Sequence, residues 1–447
     1  MYWANFLHFY QPPTQKKEIL DRVVRECYRP VFQGLLKIPG VRLTINFSSC
    51  LTELLAHNGY EDVIKVIRQL IVQDKIELTI SGKYHPLFPK MPKSEAIRQI
   101  KLDEETNRKY FGQAYDKAIS GVGFFPPEMA FNLELAKIIA GLGMKWIIVD
   151  EMSYPGKCQW NKVYKISGLP LLIHFRERNI SFRLLSAQLG TEKMVASQLG
   201  KEFHDDRYLL TAMDGETFGH HRPGLENLLF EMYESTDFQG IKLSELPDHF
   251  PQAEILPVAS TWSLMGKDMV KDMPFNRWDD PENEIHRMQW QLTNLALKSI
   301  EGLDNSPVRH LFDQSIHSDQ YWWAGAKPWW SIELIEAGAK QLKEVVNLSP
   351  NTDLATKKQA NDLYVNILTT AYEWQRSGRV EEMANQEDEE IREMEMPQKN
   401  TPEQRIEINK MIARIEEQMR GAAAHHEYER AAQLRDRIKE LQEYLTP

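Results

Sequence analysis

Three acidic residues stand where a chain would place carboxylates for chemistry. The run Tyr208-Leu-Leu-Thr-Ala-Met-Asp214-Gly-Glu216-Thr-Phe-Gly-His220-His221 is a short apolar strand that ends in acids, glycine and histidines. Asp214 and Glu216 lie two positions apart, so strand alternation points both carboxylates to one side. Gly215 and Gly219 allow a tight turn beside them. Such a pair is either two solvated loop acids or half of a site whose other half lies elsewhere. Glu128 supplies that half. It follows Phe124-Phe125-Pro126-Pro127, where a strand ends in two prolines that stiffen the backbone and hold the side chain rigidly. Two carboxylates facing across a cleft hydrolyse glycosidic bonds, with retention at about 5–5.5 Å separation and inversion at about 6.5–9.5 Å.

The elements that must position these acids alternate between strand and helix. Candidate strands fall at residues 3–9, 42–48, 76–81, 122–125, 146–150, 171–175, 208–213 and 254–259, with helical periods at 18–36, 51–74, 93–115 and 133–142. That alternation implies an α/β fold with a parallel sheet, open or closed into a barrel. Residues 180–185 read as an antiparallel insertion. Successive strand ends carry polar groups: His8 and Gln11, Asn46, His85, Glu128, Asp150 and Glu151, then Asp214. A barrel collects such ends on one face, whereas a doubly wound sheet gathers them at one crevice, so the barrel is favoured.

From 279 to 380 the period is helical, clearest at 282–303, 333–346 and 354–376. Within it the aromatic and acidic loop 317–330 reads as a plug on the barrel, a wall for a ligand, or both. An acidic linker is expected at 381–400 and a helical hairpin at 401–447. The hairpin opens with Thr401 as N-cap, Pro402 at the first helical position and Gln404 closing a capping box. Ile408, Ile412, Ile415, Met419 and Ala422 form an apolar seam, as do Tyr428, Ala431, Leu434, Ile438, Leu441 and Leu445. So small a unit should dimerise or dock on a protein partner, and its seam is too narrow to help close the barrel. The expected organisation is thus a barrel at 1–278, a helical region at 279–380 that completes the cleft, the linker and the hairpin.

Composition narrows the function classes. The 447 residues carry a net charge of −10, which argues against a nucleic-acid partner. Three cysteines without paired spacing build neither a disulfide framework nor a thiolate metal site. No stretch is long and apolar enough to span a membrane, and no basic-then-apolar leader opens the chain, so the cytoplasm is the expected location. Eleven tryptophans and sixteen tyrosines offer flat faces to a ring-stacking ligand such as a sugar.

Taken in order, the motifs resemble those of glycoside hydrolase family 57. His8-Phe-Tyr10-Gln11-Pro12 is similar to its first motif, with Tyr10 in place of a second histidine. The segment from Glu77 to His85-Pro86 resembles the second motif. Phe124-Phe-Pro-Pro-Glu128 matches the third, Asp214-Gly-Glu216-Thr-Phe-Gly the fourth and Ser318-Asp319-Gln-Tyr-Trp322 the fifth. The resemblance implies an incomplete (β/α)7 barrel followed by an all-helical region. It also implies a retaining double displacement on α-glucans, of amylase, 4-α-glucanotransferase or branching-enzyme type, without metal or other cofactor. Glu128 would be the nucleophile and Asp214 the general acid/base. His8, Gln11, His85, Asp150, Glu216, His220, Trp262, Asp319 and Trp322 would bind substrate. The division of labour needs Asp214 protonated in the free enzyme, with Glu128 and Glu216 raising its pKa.

Two other readings stay open: an inactive glycan-binding or scaffold protein, and a metal-dependent polysaccharide deacetylase or mannosidase-like site. The second would use His8, Asp150, Asp214, His220 and His221, whose spacing fits no compact ligand motif. The tail, from Ala422 through Tyr428-Glu-Arg-Ala-Ala-Gln-Leu-Arg435-Asp436 to Ile438, resembles the UVR motif and implies a protein contact.

Overall fold

The computed structural model describes residues 1–327, 329–385 and 401–445. Most of the acidic linker expected at 381–400 lies outside the described residues. The first strand, β1 (Tyr2–Phe9), is buried along almost its whole length and lies one strand from an end of the sheet. On one side it pairs with β2 (Leu43–Phe47), followed by β3 (Ile76–Ile80), β4 (Gly123–Phe124) and β5 (Trp146–Asp150). The antiparallel β6 (Val163–Ile166) precedes β7 (Leu172–Arg176), which pairs with β5. On the other side of β1 lies β8 (Tyr208–Asp214). Seven strands, in the order β7-β5-β4-β3-β2-β1-β8, therefore run parallel and curl into an incomplete barrel. The ends of the curl meet without a strand ladder: Glu177 N donates to Leu210 O at 2.7 Å, and Arg176 Nη1 to Ala212 O at 3.2 Å.

Near-continuous apolar runs build these strands because both faces are covered. β4 has room for only two residues, and Gly123 is required there: a Cβ would fall 2.0 Å from the Trp146 ring. The helical period expected over 51–74 breaks into Ser49–His57 and Glu61–Val72, with Gly59 at φ 82° between them. The period at 18–36 is interrupted by a π-turn at Val24–Tyr28.

Two expectations are corrected. Residues 180–185 form no antiparallel strand; they lie in the helix Arg178–Leu185, capped by the Glu177 side chain and burying Ile180 and Leu184 at helical spacing. The antiparallel strand is β6 instead. The eighth candidate, at 254–259, shrinks to β10 (Gln252–Ile255), which pairs with β6 outside the barrel; the intervening β9 (Gln239–Ile241) pairs with β1.

The helices Glu284–Ser299, Pro307–Ser315, Ile332–Leu348 and Leu354–Ser377 share a core of their own. A buried ion-pair network ties them to the barrel helix Lys93–Phe111: Arg98 grips Asp313 at 2.7 Å, and Arg309 pairs with Glu95. At the cleft, Ser318 N donates to His85 O at 2.9 Å and Pro86 bridges to His317, which seats the 317–322 segment against the end of β3.

The hairpin, Pro402–Ala424 and Tyr428–Leu445, carries the expected capping box. Its apolar seam docks on the barrel of its own chain, which differs from the expectation of an external partner for that face. Ile408, Met411, Ile412, Ile415, Leu434, Ile438 and Leu441 join one hydrophobic cluster with Leu184, Met194, Leu225 and Leu228. Among the described residues no helix is long and apolar enough to cross a membrane.

Candidate active site

Glu128 sits just past β4 in a left-handed backbone conformation, φ 62°, followed by Met129 at φ 46°. Two successive non-glycine residues held there signal stored strain, which the surrounding contacts must impose. Those contacts are visible. Trp262 N is fixed to Glu128 O at 3.1 Å, and the Trp262 indole Nε1 donates to Glu128 Oε2 at 3.0 Å. Ser318 Oγ lies 2.8 Å from Glu128 Oε1. Behind Ser318 a chain of side chains runs across the barrel mouth. His85 Nδ1 is 2.9 Å from Ser318 Oγ, His85 Nε2 is 3.1 Å from His8 Nε2, and His8 Nδ1 is 2.9 Å from Asn46 Oδ1.

Asp214, at the end of β8, interacts electrostatically with Glu128, so the two chain-distant acids share one site. Glu216, also buried, is held from behind. Tyr28 donates to its Oε1 at 2.5 Å, and Gln11 Nε2 and Tyr10 N approach the same oxygen at 3.4 and 3.3 Å. Tyr28 belongs to the π-turn, a distortion often found at functional sites. Tyr10 lies flat on His85, ring centroids 4.1 Å apart, and its hydroxyl donates to Asp319 Oδ2 at 2.8 Å. Where the family motif has a second histidine, this chain thus supplies a phenol aimed at Asp319.

Burial dominates the electrostatics. It pushes Glu128 up to about 8, with Asp319 adding to the rise and the Ser318 and Trp262 hydrogen bonds opposing it. Asp214 is pushed up to about 6 by burial, against the pull of Arg176 and with help from Asp319. Glu216 rises to about 8 through burial and the Asp214 charge. The expected rise at Asp214 is present, but its causes are not the expected ones: burial and Asp319 raise it. Arg176 beside it also makes Asp214 lose its proton before Glu128, the reverse of the order that a charged nucleophile and a protonated acid require. Asp319 is held low despite burial by its His317 contact, whose Nδ1 is 3.2 Å from Oδ2. His8 and His85 are both driven toward the neutral form by burial, His85 to about 4.

The structure brings His8, His85, Glu128, Asp214, Glu216, Gln11, Trp262 and Asp319 together. Three of them make contacts within the protein. Both ring nitrogens of His8 and His85 are engaged within the protein, and Gln11 braces Glu216. Three residues stand apart. Asp150 is fully buried; its oxygens are taken by Arg176 at 2.6 Å, Arg178 at 3.2 Å and Met152 N at 3.0 Å, so it anchors arginines instead of facing a ligand. His220 turns to Glu26, 2.6 Å away. Trp322 packs on Trp278 at 5.1 Å.

The sequence reading passed over Ser318, Tyr28 and Arg176. Arg176 closes β7 at the same level as the other polar strand ends and spreads over the Trp262 ring at 5.6 Å, so the strand-end rule applied once more would have found it. His85, Glu128 and Asp319 each present one atom within 4.8 Å of the others, a grouping that a cation could use. In this structure those side chains are engaged with Ser318, Trp262, Tyr10 and one another.

A family model for glycosyl hydrolase family 57 matches residues 4–258, and one for the UvrB/uvrC motif matches residues 409–444. The chain is 26% identical over 247 residues to an alpha-amylase of Pyrococcus horikoshii, covering 51% of this chain and 36% of that protein. It is 25% identical over 148 residues to a 4-alpha-glucanotransferase of Thermococcus litoralis, covering 33% of this chain and 21% of that one. The fold superposes on the crystal structure of the Thermococcus litoralis 4-alpha-glucanotransferase with a TM-score of 0.62 and 18% identity, over 78% of this chain and 58% of that one. For a branching enzyme of Pyrococcus horikoshii the TM-score is 0.61 and the identity 16%, over 83% of this chain and 96% of that one. The chain spans about a third or less of the length of these curated relatives.

Proposed function

The chain belongs to glycosyl hydrolase family 57, and on that premise we propose that it is a retaining enzyme acting on α-glucans, with Glu128 as nucleophile and Asp214 as general acid/base. Glu128 attacks the anomeric carbon while Asp214 protonates the departing oxygen. The glycosyl-enzyme is then opened by water, or by a sugar hydroxyl, that Asp214 deprotonates. What supports this reading is the convergence of two carboxyls from the ends of β4 and β8, the buried Glu128 and the partly buried Asp214, the first clamped by Trp262 and the segment that carries Ser318. Burial raises both carboxyls above the ordinary carboxylate range, so a proton held at the pair can serve the acid role. In the productive complex that proton must sit on Asp214. The Trp262 indole and the Ser318 hydroxyl, both able to donate to Glu128, favour that arrangement.

The chain's relatives include proteins named alpha-amylase and 4-alpha-glucanotransferase. Hydrolysis or transfer depends on which acceptor reaches the glycosyl-enzyme. Incubating wild type, Glu128→Gln and Asp214→Asn with maltoheptaose and resolving products by chain length tests the reading. Redistributed lengths indicate transfer and shortened ones hydrolysis, each abolished in both variants. Equal silence of all three proteins would remove the enzyme reading and leave the glycan-binding one. The three free cysteines keep the cytoplasm as the expected compartment. A protein partner for the UVR hairpin is proposed for the faces turned away from the barrel; unchanged mass in solution and no partner at those faces would remove it.

A further inference from the structure

Five groups lie in one hydrogen-bonded line from Asn46 to Glu128, and their donor counts do not allow independent orientations. The spacings are 2.9 Å from Asn46 to His8, 3.1 Å from His8 to His85, 2.9 Å from His85 to Ser318 and 2.8 Å from Ser318 to Glu128. A neutral imidazole has one donor and one acceptor nitrogen, and a serine hydroxyl has one hydrogen to give. The line can therefore point only two ways. With Glu128 protonated, the carboxyl donates to Ser318 Oγ, Ser318 to His85 Nδ1, His85 Nε2–H to His8 Nε2, and His8 Nδ1–H to Asn46 Oδ1. With Glu128 ionised, Ser318 donates to the carboxylate and every link reverses. His85 then carries its proton on Nδ1 and His8 on Nε2, and the Asn46 amide turns so that Nδ2 donates to His8 Nδ1. In going from the first arrangement to the second one proton leaves Glu128, and each imidazole keeps one proton but changes the nitrogen that holds it.

A second observation bears on the far end of the line. Asn46 Nδ2 is buried and has no hydrogen-bond partner, while Oδ1 faces His8. That orientation suits the protonated nucleophile, whereas Ser318 Oγ donates to Glu128 Oε1 as the ionised one requires, so the two ends of the line are set for opposite directions; turning the amide would give Nδ2 to His8 and put Oδ1 in the unpartnered place. The charged and titratable groups facing Glu128 and the line are Asp214, Asp319, His317 and Tyr10, and Arg176 acts in turn on Asp214.

We propose that Asn46, His8, His85 and Ser318 are positioning residues that act as one unit, whose direction is locked to the protonation state of Glu128. The reversed line is the catalytically competent one, because only it lets Ser318 donate to a charged nucleophile. Its catalytic meaning rests on the function proposed above, whereas the coupling itself does not.

The test uses the full chain with ring-15N-labelled histidine, the His8 and His85 signals being assigned with His8→Gln and His85→Gln. The expected result is that both histidines stay neutral and exchange tautomers together, at one midpoint, as Glu128 ionises. His85 moves from Nε2–H to Nδ1–H and His8 from Nδ1–H to Nε2–H. In Glu128→Gln, with the amide oxygen toward the Trp262 N–H and its NH2 toward Ser318, both remain in the low-pH arrangement at every pH. Tautomers that stay fixed in wild type, one histidine changing alone, or exchange that persists in Glu128→Gln would each overturn the proposal. For the catalytic consequence, Ser318→Ala should lower kcat roughly 10- to 100-fold with KM little changed, and Ser318→Thr, which keeps the hydroxyl, should recover most of it. A Ser318→Ala enzyme with wild-type kcat would remove the positioning role. A wild type silent on all α-glucans would remove the proposed function and leave the tautomer result to decide the coupling.

Discussion

The floor of the cleft and the seat of the C-terminal hairpin are both buried, yet they spend burial in opposite ways. At the cleft, Glu128, Asp214 and Glu216 are desolvated carboxyls with raised pKa values, and Glu128 sits on left-handed backbone. At the hairpin, aliphatic side chains fill the centre. Polar groups surround them, with Arg414 2.9 Å from Glu231, the Gln418 amide 3.0 Å from Glu226 and the buried Arg437 donating to Ala187 O at 3.0 Å. The first region holds groups that would be more stable in water; the second is what a stable interface looks like. On the function proposed here, the chemistry falls to the costly region and the stability to the other. Substitutions should separate the two.

The largest effect is expected at the nucleophile. Glu128→Gln should lower kcat roughly 10^4- to 10^6-fold while leaving the melting temperature unchanged or raised, because a buried ionisable group is removed from strained surroundings. A variant that loses activity together with its fold would blur the contrast, which circular dichroism melts decide. Ile415→Ala should act in the opposite sense. Ile415 is buried against Gly224, and its truncation should cost roughly 2–5 kcal/mol with kcat nearly unchanged, as read by urea unfolding and initial rates. The seam was expected to be too narrow to help close the barrel; it packs against Gly224, Leu225 and Leu228, in the segment that follows Asp214-Gly-Glu216.

The cleft acids also set a pH dependence. Glu216 binds its proton in the folded state up to about 8, whereas an unfolded glutamate releases it near about 4.3. Between those values the folded state holds more protons, so stability falls as pH rises, by at most about 1.4 kcal/mol per pH unit for each such group. The contribution is fully present below the unfolded pKa and lost through about 8. Glu216→Gln should flatten that slope in melts across the window, and an unaltered slope would contradict the raised pKa. The smallest effect belongs to the rim: Arg414→Ala should cost under about 1 kcal/mol, since both partners are partly exposed.

The parts of the molecule that follow local rules were legible in the sequence. Strand-helix alternation gave the seven parallel strands, and the Thr401-Gln404 capping box is present as read. The meeting of Glu128 with Asp214 followed from polar residues at strand ends. What escaped depends on contacts between distant segments. Asp150 carries the same strand-end signature as Asp214, but Arg176 and Arg178 from the next strand and its helix consume it. The strand-like composition of 180–185 was overridden by the Glu177 cap and an i,i+4 apolar face. Nothing local to Tyr28 or Ser318 announces that a π-turn and a loop of the helical region deliver them to Glu216 and Glu128.

The division of roles between the two acids is tested most directly by trapping the intermediate. Asp214→Asn is incubated with α-maltosyl fluoride, which needs no acid to expel its leaving group, and the protein is digested and analysed by mass. A maltosyl adduct on the peptide that contains Glu128, absent when Glu128→Gln is added to Asp214→Asn, is the expected result. Fluoride released with the adduct on another carboxyl, or with no adduct and inverted product, would contradict it.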